Sequence, residues 1–147
     1  MSAYCQLSDV QGLIQANDLI ALTDDNQTGQ LNQTVLNSVI TSSSGVIDRY
    51  VSNIYTVPFA SPYPSAIVNA ALIITCYNLY LRRETPTELN KFKKDYEDTI
   101  SYLRAINKGE MHIDQVPQRS FTQGAYTGRI TTYGGSGIFA GSLSNTQ

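Results

Sequence analysis

Apolar residues recur at steps of four and three over two long stretches of this chain. Between Asn32 and Ile54 the positions Leu36, Ile40, Ser43, Ile47, Tyr50 and Ile54 share one stripe, which Val39, Val46 and Val51 widen. This is the period of an amphipathic helix, and Asn32 is a good N-cap for it. The small residues Thr41–Gly45 at its middle predict either close packing by another helix or a bend. A second stripe, Leu89, Phe92, Tyr96, Ile100, Leu103 and Ile106, predicts a helix running to Lys108. Lys91, Lys93, Lys94, Asp95, Glu97 and Asp98 fall on its wet side. Thr85-Pro86-Thr87-Glu88 reads as a capping box with proline in the first turn, and Gly109 suits the position just past the helix end.

Between these two stretches, residues from Pro64 to Arg83 are apolar around most of a helical circumference. Such a helix belongs at the centre of a bundle, with Leu72 and Ile73 expected to be buried. Arg82 and Arg83 at its C-terminus suit the helix dipole. Upstream, Ser8 with Asp9 starts one short helix, and Ala16–Leu22 forms another. Thr23–Gly29 is a run of turn formers. The segment Tyr55–Pro64 carries three prolines, which exclude a helix and predict a stiff extended connector with aromatic anchors. Glu110–Val116 alternates apolar and polar residues, as a short strand would.

From about Gln115 the pattern changes to glycine, serine, threonine and tyrosine with isolated apolar residues. That spacing cannot offset the loss of chain entropy on folding. The expected organisation is a helical body over residues 1–110 and an extended C-terminal arm over 111–147. The fold class is mainly α: a small helical bundle with three long helices and short N-terminal helices. The arm adds a possible short β-hairpin over Arg129–Thr132 and Ile138–Phe139. Its anchors for protein contact are Phe121, Tyr126, Ile130, Tyr133, Ile138 and Phe139, with Arg119 and Arg129 supplying hydrogen bonds.

The chain of 147 residues is the length of one domain. Charged residues make up 15% and the net charge is −2, unlike a nucleic-acid binder with its basic stripe. Two arginines in the arm are too few to hold single-stranded nucleic acid along its length. Cys5 and Cys76 form no CxxC pair; Cys76 reads as a small buried hydrophobe, which fits a reducing compartment. The first ten residues have neither the basic start nor the apolar run of a signal peptide. Ala66–Leu81 would be only about 24 Å long as a helix, too short and too polar to span a bilayer.

No catalytic, cofactor or metal constellation emerges. His112 has Asp114 two residues on, so in a strand the two could touch, but a base or metal site needs more partners, and a partly exposed polar residue is the better reading. Asp24–Leu31 follows a calcium-loop pattern up to the twelfth position, where Val35 replaces the bidentate glutamate; a hydrated turn is the better reading. The chain is therefore expected not to be an enzyme.

The order of motifs points elsewhere. Ile47-Asp48-Arg49-Tyr50-Val51 closes a long helix, and Tyr55-Thr56-Val57-Pro58-Phe59 opens the proline-rich link. Tyr77-Asn78-Leu79-Tyr80 ends an apolar helix, Ala21-Leu22-Thr23-Asp24 precedes the turn, and Tyr96-Glu97 and Leu103 follow downstream. This succession, over roughly residues 1–110, resembles the Mu-like prophage connector family, small head–tail adaptor or head-completion proteins of tailed bacteriophages. The resemblance implies a structural protein of the virion neck, assembled in the host cytoplasm as a homo-oligomeric, twelve-fold ring. It implies the portal protein and the next neck or tail-completion protein as partners, with genomic DNA passing through unbound and no membrane involved. Another virion assembly component, such as a tail-completion or capsid-associated protein, is the alternative. An ion pair between subunits at Asp48 and Arg49 is a further option, set against plain surface polarity.

Overall fold

The computed structural model describes residues 2–84, 86–114 and 116–120. Five helices follow one another: α1 (Leu7–Gln11), α2 (Ala16–Thr23), α3 (Gln33–Val51), α4 (Ser65–Arg82) and α5 (Pro86–Asn107). The described part is a helical bundle, as the periodicity predicts, and it contains no strand among the described residues. α4 packs against both other long helices and touches the two short ones. Stacking of Tyr77 on Tyr96 and of Tyr80 on Phe92 runs α5 antiparallel to α4. The Asn107 amide donates to the Tyr50 carbonyl at 2.7 Å, bringing the C-terminal ends of α3 and α5 together.

Each helix end has a local cause. The Asn32 side chain accepts from the Val35 amide at 3.2 Å and starts α3. The Asp9 carboxylate accepts from the Gln6 amide at 2.7 Å at the start of α1. Gly109 takes φ +78° after α5, and the Glu110 amide reaches back to the Ala105 carbonyl at 2.9 Å, closing a Schellman turn. The predicted cap at Thr85 lies outside the described residues. α3 stops at Val51, three residues short of the end expected from its stripe. The stripe itself continues, since Tyr55 is fully buried.

The small-residue patch of α3 is a site of close packing. Ser43 and Ser44 are buried; the Asn78 amide of α4 donates to Ser43 Oγ at 3.4 Å, and the Tyr4 amide donates to Ser44 Oγ at 3.0 Å. Hydroxyls and a short side chain let α4 and the N-terminal strand of chain approach together.

Two expectations need correction. Leu72 and Ile73 are only half-buried, and Leu81 is 49% exposed, so α4 is not covered all round. Its buried face is Ile67, Ala70, Ala71, Ile74, Thr75, Cys76 and Leu79. Apolarity identified the central helix but could not say which side lacks a neighbour. Glu110–Val116 is not a strand, because no partner strand exists among the described residues to pair with it. It supplies anchors instead: Ile113 is 3% exposed and belongs to the core, and Val116 packs against it.

Cys5 and Cys76 are both buried free thiols, with Cys5 Sγ 3.7 Å from Thr75 Oγ1. Burial pushes the Cys76 thiol up to about 12 and also raises Cys5. No helix of the described residues is long and apolar enough to cross a membrane.

Ile74→Ala is expected to cost about 2–5 kcal/mol, because it opens a cavity at a site 1% exposed. Leu72→Ala, at a half-buried position, should cost less than half as much. Chemical denaturation of the two variants checks the order; equal losses would contradict this packing.

Candidate functional site

The connector between α3 and α4 carries Pro58, Pro62 and Pro64 and cannot satisfy its own backbone through a helix. One tyrosine hydroxyl takes a connector amide, and a second ties the start of the connector to the segment after α5. Tyr4, 1% exposed, accepts from the Phe59 amide at 3.1 Å and donates to Asp48 Oδ1. Its ring meets Phe59 at 5.7 Å and Tyr63 edge-on at 5.1 Å. Tyr55 packs on Phe59 at 6.1 Å, and its hydroxyl accepts from the Ile113 amide at 2.8 Å. The N-terminal segment, the connector and the segment after α5 therefore converge at one end of the bundle. Burial first, and then the bond to Asp48, push the Tyr4 hydroxyl up to about 12.

Asp48 is thus occupied within its own chain. Its Oδ1 is taken by Tyr4, and the sequence pattern gave no sign of this because Tyr4 lies 44 residues away. Arg49 is exposed, and its guanidinium has no hydrogen-bond or ion-pair partner among the described residues. It stands on the rim of an α3–α5 groove with Arg104 and Glu97, floored by Val46, Tyr50, Tyr96 and Ile100.

Of the predicted arm anchors, Arg119 alone lies among the described residues. Its amide donates to the Ile54 carbonyl at 2.8 Å, and its Nη1 donates to the Ser52 carbonyl at 3.0 Å. The guanidinium thus binds a carbonyl, the type of partner expected, but at the end of α3 in the same chain. Phe121, Tyr126, Arg129, Ile130, Tyr133, Ile138 and Phe139, together with the hairpin, lie outside the described residues. The chain from Met111 to Ser120, assigned to the arm by composition, lies along the body as far as Arg119.

The other polar candidates also have partners. His112 is exposed, as the plainer reading has it, and its Nδ1 lies 2.6 Å from Gln118 Nε2. In the Thr23–Gly29 turn, the Asp24 carboxylate accepts from Thr28 Oγ1 at 3.0 Å and from the Gly29 amide at 2.6 Å. The backbone amide of Thr28, above all, holds that carboxyl below its usual range. Asp25 accepts from Arg82 at 2.8 Å and from Arg83 at 2.9 Å, tying the turn to the end of α4. The calcium-like pattern is spent on a turn and two arginines.

These residues define a small all-α body whose described carboxylates and hydroxyls mainly secure its own loops and ends, leaving grooves on either flank of α5. The chain belongs to the family described as Bacteriophage Mu, Gp36, which matches residues 4–130. It is thus a member of a Mu-like bacteriophage protein family. The match extends beyond residue 110, where the motifs quoted above end. No curated protein matches the chain.

Tyr4→Phe should cost about 1.5–3 kcal/mol, since it removes a bond to a charged group. A tyrosine held above its unfolded value loses its stabilising effect as pH rises from about 10 towards 12. The melting temperature should therefore fall over that range, and less steeply in Tyr4→Phe than in the parent. Parallel slopes would contradict the role given to this hydroxyl.

Hydrogen exchange provides a separate check. The Arg119 amide should be protected in the isolated chain, and Arg119→Ala should speed exchange from Val116 to Arg119 without lowering the melting point of the bundle. Exchange at Arg119 as fast as in an unfolded peptide would place that segment off the body.

Proposed function

We propose that this protein is a structural head–tail adaptor of a tailed bacteriophage, a ring subunit that sits beneath the portal and lets DNA pass to the tail. The observation that carries this reading is membership of a Mu-type phage family by a chain built as a closed helical body with a glycine-rich extension. A ring subunit needs a rigid wedge and a means of reaching its neighbours. The body supplies the wedge, pinned at one end by Tyr4 and Tyr55. The arm starts from that same end, where Arg119 fastens the chain to α3.

Residues beyond Ser120 could extend on the order of 90 Å, enough to cross an adjacent subunit or climb onto another ring. Their isolated aromatic and isoleucine side chains suit capture in the crevices of a protein partner. The low positive charge suits a conduit, since many Lys/Arg contacts would hold DNA in place. In this reading the protein is a virion component with no catalytic role and no cofactor. Its partners are copies of itself, the portal and the next neck or tail protein.

Deleting residues 121–147 tests the reading. The shortened chain should melt within a few degrees of the parent. In a phage whose own gene is replaced by it, filled heads and free tails should accumulate unjoined in electron micrographs. Joined, infectious particles at parental numbers would overturn the proposed role of the arm.

A further inference from the structure

The two flanks of α5 carry opposite charge. On the α3 side, Arg104 and Arg49 rim a groove of about 350 Å³ floored by apolar and aromatic side chains. Lys93 shares the helical row of Glu97, four residues on, and extends this flank; Glu97 is the one carboxylate lining the groove. On the α4 side, Asp98 lines a second groove of about 360 Å³ with Ala66, Ala70, Ile73 and Tyr102. Asp114 lines an adjoining hollow that shares Ala66 and Tyr102. Asp95, three residues before Asp98 and exposed, adds to that side. Lys94 bonds Asp98 at 2.7 Å and offsets part of its charge, so the excess of negative charge on this side rests on Asp95 and Asp114; the exposed pair is weak and can be exchanged for a partner's cation.

We infer that these flanks are the two halves of one interface, the basic α3–α5 groove of one copy receiving the acidic α4–α5 flank of the next. Both halves lie on the same chain and on opposite sides of one helix. A head-to-tail arrangement matches charge to charge at every contact and leaves each copy with one free half for the next, the kind of contact that closes into a ring. A two-fold pairing through the basic groove alone would bring the Arg49 and Arg104 side chains of both copies together, which like charge disfavours. Half-exposed Ile73 and Tyr102 supply the apolar part of the acidic flank, and Val46 and Tyr50 that of the basic one. The occupant of each groove is thus a copy of this chain. This inference rests on the ring reading and specifies which surfaces make it.

Charge exchange on the full chain provides the test. Arg49→Glu/Arg104→Glu leaves both flanks acidic, and Asp95→Lys/Asp98→Lys leaves both basic. Sedimentation at about 0.05 M salt, where exposed charges are little screened, should show self-association of each variant weakened at least about tenfold. Circular dichroism should show unchanged helicity, because all four positions are exposed. Mixing the two variants should restore assemblies in which they alternate one to one, and the chain carrying all four changes should assemble alone. If the parent assembles and the variants assemble equally well, the charged flanks are not the interface, although the ring reading stands. If the parent fails to assemble at any concentration, alone or with the portal, both readings fall.

Discussion

The body depends on how a connector that cannot hydrogen-bond to itself is held in place. Three prolines between α3 and α4 rule out a helix, and the two helices must still turn back on each other within that stretch. The hydroxyl of Tyr4 takes one connector amide, and that of Tyr55 anchors the start of the connector to the segment after α5. One accepts the Phe59 amide and donates to Asp48; the other accepts the Ile113 amide. Because Tyr4 comes from the N-terminal segment and Ile113 from the segment after α5, closing the connector also fastens both ends of the body. Placing these polar groups in the core is tolerable because each has a partner.

This arrangement divides the polar residues by role. Asp48, Asp24 and Asp25 look like candidate ligands or interface charges in the sequence, yet each is bound within the chain, to a tyrosine, a turn and two arginines. The charges left over are chiefly on α5 and at Arg49. Their division between the flanks of one helix gives the body a direction. A directional body and an extension from one end are what an assembly of identical copies uses: the first sets the neighbour, the second reaches past it.

The helices were legible because hydrophobic period and caps are local. Asn32, Gly109 and the stripes of α3 and α5 each announce themselves within a few residues. Short-range pattern could not show the exposed side of α4 at Leu81, because exposure depends on which neighbours are missing. Nor could it show that Ile113 reaches Tyr55, because an isolated aliphatic in a polar segment reads equally as strand, loop or anchor. The candidate site was the least legible part. Arg119 was marked for partner contact and binds the end of α3, while the rest of the predicted anchors lie beyond the described residues. The opposed flanks of α5 were present in the sequence as a mixed wet face. Only the positions of α3 and α4 on either side of that helix show that Arg104 lines one groove and Asp98 the other.

The central claim is that this chain is an assembly subunit that docks on a portal. Its most direct measurement is the mass of the complex formed when the purified full chain is mixed with its phage's portal ring. The account predicts one discrete species, the portal plus a closed ring of identical subunits, with no bound DNA required. A chain that stays monomeric beside an intact portal, or binds it in a broad range of stoichiometries, would contradict it.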